Sequence, residues 1–229
     1  YITGEDGVIR MYVNIIGQYP DLTILDSEVN IDNNIYVDFS DWQAVIRIKN
    51  ISDIEIANLT ARGSENSGIF IDHAESIILD NLILEENASW AGGGVAVGYS
   101  EGVTIKNSEI RNNSQVLFGA GIYVEFSNAI LSNLEIYGNE AGLMGGGIAI
   151  YQGSATFENI NIFNNLSFNY GGGMVINDVD PIMANVRIFN NISFAYGPGL
   201  MLENSNPLFS NEDRCSIFNN SFNLSYQDS

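Results

Sequence analysis

Gly92-Gly93-Gly94-Val95-Ala96-Val97 is a stretch that this chain writes again and again. It returns as Gly119-Ala120-Gly121-Ile122-Tyr123-Val124 and as Gly145-Gly146-Gly147-Ile148-Ala149-Ile150. Further copies are Gly171-Gly172-Gly173-Met174-Val175-Ile176 and Gly197-Pro198-Gly199-Leu200-Met201-Leu202, and Ser67-Gly68-Ile69-Phe70-Ile71 is a weaker copy ahead of them all. The third position falls at residues 68, 94, 121, 147, 173 and 199, in steps of 26, 27, 26, 26 and 26. A fixed period of this length means one small unit stacked on itself.

Two more apolar runs follow each copy. The second runs are Ile77-Ile78-Leu79, Val103-Thr104-Ile105, Ala129-Ile130-Leu131, Ala155-Thr156-Phe157 and Ile182-Met183-Ala184. The third are Leu82-Ile83-Leu84, Ser108-Glu109-Ile110, Leu134-Glu135-Ile136, Ile160-Asn161-Ile162, Val186-Arg187-Ile188 and Cys215-Ser216-Ile217. Runs this short are strands, and the turns between them leave no room for helices. Three strands per coil, each lying on its copy about 4.8 Å away, make an all-β parallel β-helix of about 26 residues per coil.

Asparagine gives an independent test. Asn81, Asn107, Asn133, Asn159 and Asn185 recur between the second and third runs. Asn87, Asn113, Asn139, Asn165, Asn191 and Asn220 follow the third run. An asparagine tolerates the left-handed backbone of a tight turn, and its amide both donates and accepts. Both columns are therefore expected to form ladders along the stack. The last step of the second column is 29 residues, which places a bulge at Asn211-Glu212-Asp213-Arg214. Cys215 takes the slot of Leu134, Ile160 and Val186, and is expected to be a buried small hydrophobe.

The whole chain, 1–229, reads as one elongated domain. Residues 1–44 are irregular first coils, 45–222 are regular coils, and 223–229 are a tail. A net charge of −20 argues against nucleic acid and anionic membranes as partners. No apolar run is long enough to span a bilayer as a helix. The start at Tyr1 suggests a processed chain or a fragment, and the architecture points to an extracellular or cell-surface protein.

Period-two alternation turns Phe70, Ala96, Tyr123, Ala149, Val175 and Met201 outward. That column is apolar, and Phe70, Tyr123, Val175 and Met201 are the expected interface with a partner chain, a neighbouring segment or a saccharide. Tyr137, Phe163, Phe189 and Phe218 form a file of rings that stabilises the coils by stacking. Trp90, Phe118, Phe168, Tyr170, Phe194 and Tyr196 crowd the turn before the glycine run, to shield the core or to offer a binding ridge.

Acid–base chemistry has one candidate. Asp72-His73 combines a carboxylate with the sole histidine, with Arg62 upstream and Arg111 a coil later. A polysaccharide lyase needs a base and a cation beside the sugar C5 proton. Ile71-Asp72-His73 faintly resembles a strand-end motif of pectate lyases. No acidic cluster marks a calcium site and no closely spaced carboxylate pair marks a hydrolase, so no metal and no cofactor are expected. The glycine run opens a strand rather than a helix and is not a phosphate cradle. Asn-x-Ser/Thr sequons at Asn50, Asn58, Asn87, Asn112, Asn165, Asn191, Asn219 and Asn223 read as by-products of Asn/Ser-rich turns.

Gly-Gly-Gly-Ile-Ala-Ile together with Ile162-x-x-Asn165 at this period resembles the polymorphic outer-membrane protein repeats of chlamydial autotransporter adhesins. More widely, it resembles bacterial secreted right-handed parallel β-helix repeat proteins. The tetrad matches at 93–96, 120–123, 146–149, 172–175 and 198–201, while Leu84, Ile110, Ile136, Ile162, Ile188 and Ile217 stand where that family has Phe. The resemblance implies a non-enzymatic adhesin, scaffold or filament subunit whose partner is itself, another surface protein or a polysaccharide. The alternative is a polysaccharide lyase or hydrolase acting through Asp72 and His73, or a glycan-binding module.

Overall fold

The computed structural model describes residues 2–3, 9–10, 15–16, 24–26, 44–210 and 214–223. The regular coils are as expected: every described element is a strand, and each lies parallel to its copy one coil away, apart from the antiparallel pair Ile2–Thr3 and Ile9–Arg10. Ile122–Tyr137 pairs with Ile148–Phe163 in a register of 26 residues, matching Ile122 to Ile148, Leu131 to Phe157 and Ile136 to Ile162. The three apolar runs of each coil belong to one sheet that wraps around the core. The structure adds a short fourth strand after the buried asparagine, at Ala88–Ala91, Ser114–Phe118, Glu140–Ala141, Leu166–Ser167, Ile192–Ser193 and Ser221–Phe222. Only two residues long in most coils, it lacks the apolar alternation that makes a strand legible. Most of residues 1–43 and the bulge at 211–213 lie outside the described residues, as do residues 224–229 of the expected tail.

Period-two alternation sends Ile69, Val95, Ile122, Ile148 and Met174 into one fully buried column, and Ile71, Val97, Val124, Ile150 and Ile176 into the next. Each such side chain contributes roughly 1.5–3 kcal/mol on leaving water. The glycines serve two needs. Gly145 opens its turn at a φ of 68°, where a Cβ is strained. Gly94 has ordinary φ, but an added Cβ would sit 2.6 Å from the Gly121 carbonyl oxygen and 2.6 Å from the Ile110 side chain. Coils approach too closely there for any side chain.

The two asparagine columns turn out to do different work. Asn87, Asn113, Asn139, Asn165 and Asn191 are at most 1 % exposed. The Asn139 amide donates to Asn165 Oδ1 at 3.0 Å and to the Ile110 carbonyl at 2.9 Å. Its Oδ1 accepts from the backbone N–H and the Nδ2 of Asn113, both at 3.0 Å. The same arrangement repeats from Asn87 to Asn220. These residues do not adopt positive φ; the residue before each does, as at Glu86, Asn112, Gly138, Asn164, Asn190 and Asn219. The other column does sit in the left-handed region, at Asn81, Asn107, Asn133, Asn159 and Asn185, and its amides bond coil to coil at the exposed surface. Within that column Asn107 donates to Asp80 rather than to Asn81.

The ring file is also formed, with centroids 4.9 Å apart from Tyr137 to Phe163 and 5.1 Å at the next two steps. Arg111 closes its amino-terminal end, donating to Tyr137 Oη at 3.0 Å and to Glu85 at 2.9 Å. Cys215 is half-buried against the core, and its Sγ accepts from the Val186 N–H at 3.5 Å.

Asn139→Ala removes an amide from a dry ladder and orphans groups on Asn113, Asn165 and Ile110. At roughly 1–3 kcal/mol per unsatisfied buried group, the variant is expected to lose on the order of 4 kcal/mol in denaturant melts. Asn133→Gly, in the exposed column and compatible with the turn, is expected to change stability by under about 1 kcal/mol.

Candidate functional site

Alternation places Arg47 and Lys49 outward on the strand Ala44–Lys49, each following a buried isoleucine, Ile46 and Ile48. The next coil puts Phe70 and Asp72 on the same face, in register with Arg47 and Lys49. Ala96 and Gly98 follow on Val95–Gly98, and then Tyr123 and Glu125. These eight side-chain positions, with Ala91 at one end and Tyr99 at the other, line a pit of about 250 Å³.

Asp72 is its electrostatic centre. One carboxylate oxygen lies 2.8 Å from Lys49 Nζ and the other 2.6 Å from His73 Nδ1. Burial pushes the carboxyl up, but the hydrogen bonds and charges of Lys49 and His73 outweigh it and hold Asp72 below the usual carboxylate range. An ionised carboxylate only accepts, so Nδ1 of His73 carries the proton it shares with Asp72. In the neutral imidazole that leaves Nε2 as the free base, on a side chain 57 % exposed. Burial, and then the bond from its hydroxyl to Glu125 Oε2 at 2.7 Å, keep Tyr123 protonated well above the usual phenol range. Tyr151, next to Glu125 in register, is pushed up to about 12 by burial and the Glu203 charge.

A wall of rings borders the pit. His73 stacks on Tyr99 at 5.1 Å, and Tyr99 on Phe126 at 5.0 Å. All three hold φ near +50°, a region where a bulky side chain strains the backbone by on the order of 1 kcal/mol. Elsewhere in the molecule asparagine or glycine fills most such turns. Tyr99 and Phe126 are about half exposed, so burial does not account for them. Arg47 rests its guanidinium 5.9 Å from the Phe70 ring centroid, and its Nε is buried without a hydrogen-bond partner. Thus two of the eight Lys and Arg residues of a chain with charge −20 converge on this one pit.

The expected site residues are only partly gathered. Asp72, Phe70 and Tyr123 line the pit and His73 adjoins it. Val175 is 1 % exposed, and the turn at Gly171 lies over it, where an added Cβ would come within 2.1 Å of the Val175 side chain. Ala149, fully buried, lies beneath the Gly145 turn in the same way. The neighbouring segment that covers this part of the column is the chain's own, and Met201 lies further along it, half-buried. Arg62 and Arg111 stand on another column, in register with Glu85 between them. The cations beside Asp72 are Arg47 and Lys49 instead. Their signal was the alternation of Ile46-Arg47-Ile48-Lys49, and that of the ring wall was the spacing of His73, Tyr99 and Phe126 by 26 and 27 residues. Among the described residues no group of three or more His, Cys, Asp or Glu is placed to hold a metal ion.

A family model described as the right-handed beta helix region matches residues 1–118 and 44–212. The chain belongs to that family. Its right-handed β-helix thus has a sequence-level counterpart, whereas an identity with chlamydial repeats does not. No curated protein matches the sequence. Among solved structures, the chain is similar to an endo-xylogalacturonan hydrolase from Aspergillus tubingensis, with 12 % identity over 79 % of this chain and 67 % of that one, at a TM-score of 0.32. It is also similar to the A-module of a mannuronan C-5 epimerase from Azotobacter vinelandii, with 10 % identity over 80 % of this chain and 63 % of that one, at a TM-score of 0.31. Both are loose superpositions.

The lowered pKa of Asp72 makes a pH-dependent contribution to stability. Because the folded value lies below the unfolded one, near 3.9, the contribution is complete above the unfolded value and is lost as pH falls through the folded one. Thermal melts from pH 6 downwards, about two pH units on each side of that value, are expected to show a steeper acid loss for the wild type than for Asp72→Asn. Parallel curves would remove the claim that Lys49 and His73 stabilise the carboxylate.

Proposed function

We propose that this β-helix acts on an acidic polysaccharide, taking a uronate residue into the pit and withdrawing its C5 proton with His73. The supporting observation is the Lys49–Asp72–His73 arrangement, which holds Nδ1 on the carboxylate and leaves Nε2 unbonded on an exposed side chain. In the proposed step Nε2 takes the C5 proton, and the C5–H electron pair moves into the sugar carboxylate. Arg47 and Lys49 offset the added negative charge there. Collapse of that pair to a C4=C5 double bond breaks the C4–O bond, and the departing oxygen takes up a proton. Delivery of a solvent proton to the opposite face instead gives the C5 epimer, and His73 then releases the proton it took to water. The hydrolase alternative fits less well, because it needs a protonated carboxyl. Asp72, the carboxyl beside His73, is held ionised.

The test is incubation with polygalacturonate and with polymannuronate in deuterated water. The expected result is deuterium at C5 by NMR, or ultraviolet absorbance of an unsaturated end. His73→Ala is expected to cut the rate by on the order of 100-fold or more. Absence of both signals with both polymers sinks the catalytic reading, and unchanged turnover in His73→Ala removes the residue from its role.

A second reading, a scaffold that associates with itself, is favoured by the last coil. Leu202, Phe209 and Ile217 occupy columns that are interior in earlier coils, yet are 41 %, 51 % and 50 % exposed. Apolar side chains exposed in this way favour association. Light scattering over a concentration series is expected to show association, weakened by Ile217→Lys; a monomer at every concentration counts against this reading.

A further inference from the structure

The pit exists because one strand has almost no side chains on its outer face. In coil order the outward columns read Arg47, Phe70, Ala96, Tyr123 and Lys49, Asp72, Gly98, Glu125. Ala96 and Gly98 both lie on Val95–Gly98, and every flanking position carries a large or charged group; Ala96 is covered by the Gly92 turn, as Ala149 is by Gly145, so the position left clear is Gly98. Gly98 is not at positive φ, so the backbone does not require a glycine there. Nor does close packing: an added Cβ would meet only the Glu125 side chain, at 3.8 Å. This sets it apart from Gly94, whose Cβ would collide with the next coil. A glycine inside a strand weakens it relative to alanine. Its effect at position 98 is the space above it.

We infer that the notch at Gly98 is the subsite for a single pyranose unit, with Gly98 setting the size of group admitted beside Asp72. The inference rests on the proposed polysaccharide function and narrows it to one place. The notch spans one missing coil of side chains, so its walls stand two strand spacings apart, roughly 9.6 Å between backbones. Stacked rings on successive coils of this protein sit about 5 Å apart, so the notch is one ring thick. Phe70 and Tyr123 bound it on the Ala96 side, and Asp72 and Glu125 on the Gly98 side. A sugar seated there meets apolar surface at one end and hydrogen-bond acceptors at the other. Its carboxylate finds the positive charges of Lys49 and Arg47 within the same pit.

Calorimetric titration of the wild type with tetragalacturonate, tetramannuronate and neutral xylotetraose is the experiment, repeated on Gly98→Leu and Gly98→Ala. The wild type is expected to bind an acidic tetrasaccharide and not xylotetraose. Gly98→Leu, folded to at least the wild-type melting temperature, is expected to lose detectable binding. Gly98→Ala meets only ordinary contacts and keeps the fold, so it serves even if the leucine variant does not fold; its affinity is expected to fall several-fold. Wild-type binding that either folded variant retains in full overturns the notch and leaves the polysaccharide reading standing. Failure of the wild type to bind either acidic tetrasaccharide overturns both.

Discussion

The structure depends on the dry file of amides from Asn87 to Asn220. Each coil must turn after its third apolar run, and the turn brings backbone N–H and C=O groups inside, away from water. Asparagine alone among small side chains supplies two donors and an acceptor in one plane. Here the donors go to the next coil's amide and to a carbonyl of the previous coil, while the oxygen takes two N–H groups from behind. Every buried polar atom of the turn is satisfied only if successive coils stay in register. The ladder therefore penalises any slip by several unsatisfied groups at once, which apolar columns alone do not do. A column of Ile and Leu tolerates a small axial shift, whereas a hydrogen bond of 3.0 Å does not.

That rigidity makes the outer face useful. Strands held in register present side chains at fixed spacing, so a choice at one position of one coil acts as a choice of geometry. Arg47 and Lys49 on one coil, Asp72 and His73 on the next, a bare strand, and then Tyr123 and Glu125 build a charged pit without a long loop. The local backbone reflects the same use. Tyr99 and Phe126 keep left-handed turns that glycine or asparagine would fill more easily, and in exchange line up rings beside His73. The file from Tyr137 to Phe218 is stacked in the same way, but none of its rings lines the pit.

The fold, the coil length, both asparagine columns and the ring file were legible in the chain because each is a periodic signal. Thr156 and Glu135 may be swapped in the mind for any polar residue without disturbing it. The sequence by itself also determined that Asp72 and His73 stand together, since they are neighbours in the chain, and that Ile46-Arg47-Ile48-Lys49 alternates. What tertiary structure alone decided was which residues from different coils share one place. Arg62 and Arg111 look as near to His73 in the repeat as Lys49 does, yet they lie on another column, because the chain bends at Asn58 and Asn107 before reaching them. Val175 and Tyr123 occupy equivalent slots beside equivalent glycine turns, yet the small valine is buried there while the tyrosine lines the pit. Periodicity reports the slot that a residue occupies along a coil; burial and contact across coils depend on how each turn lies in space, and that is a property of the packed solenoid.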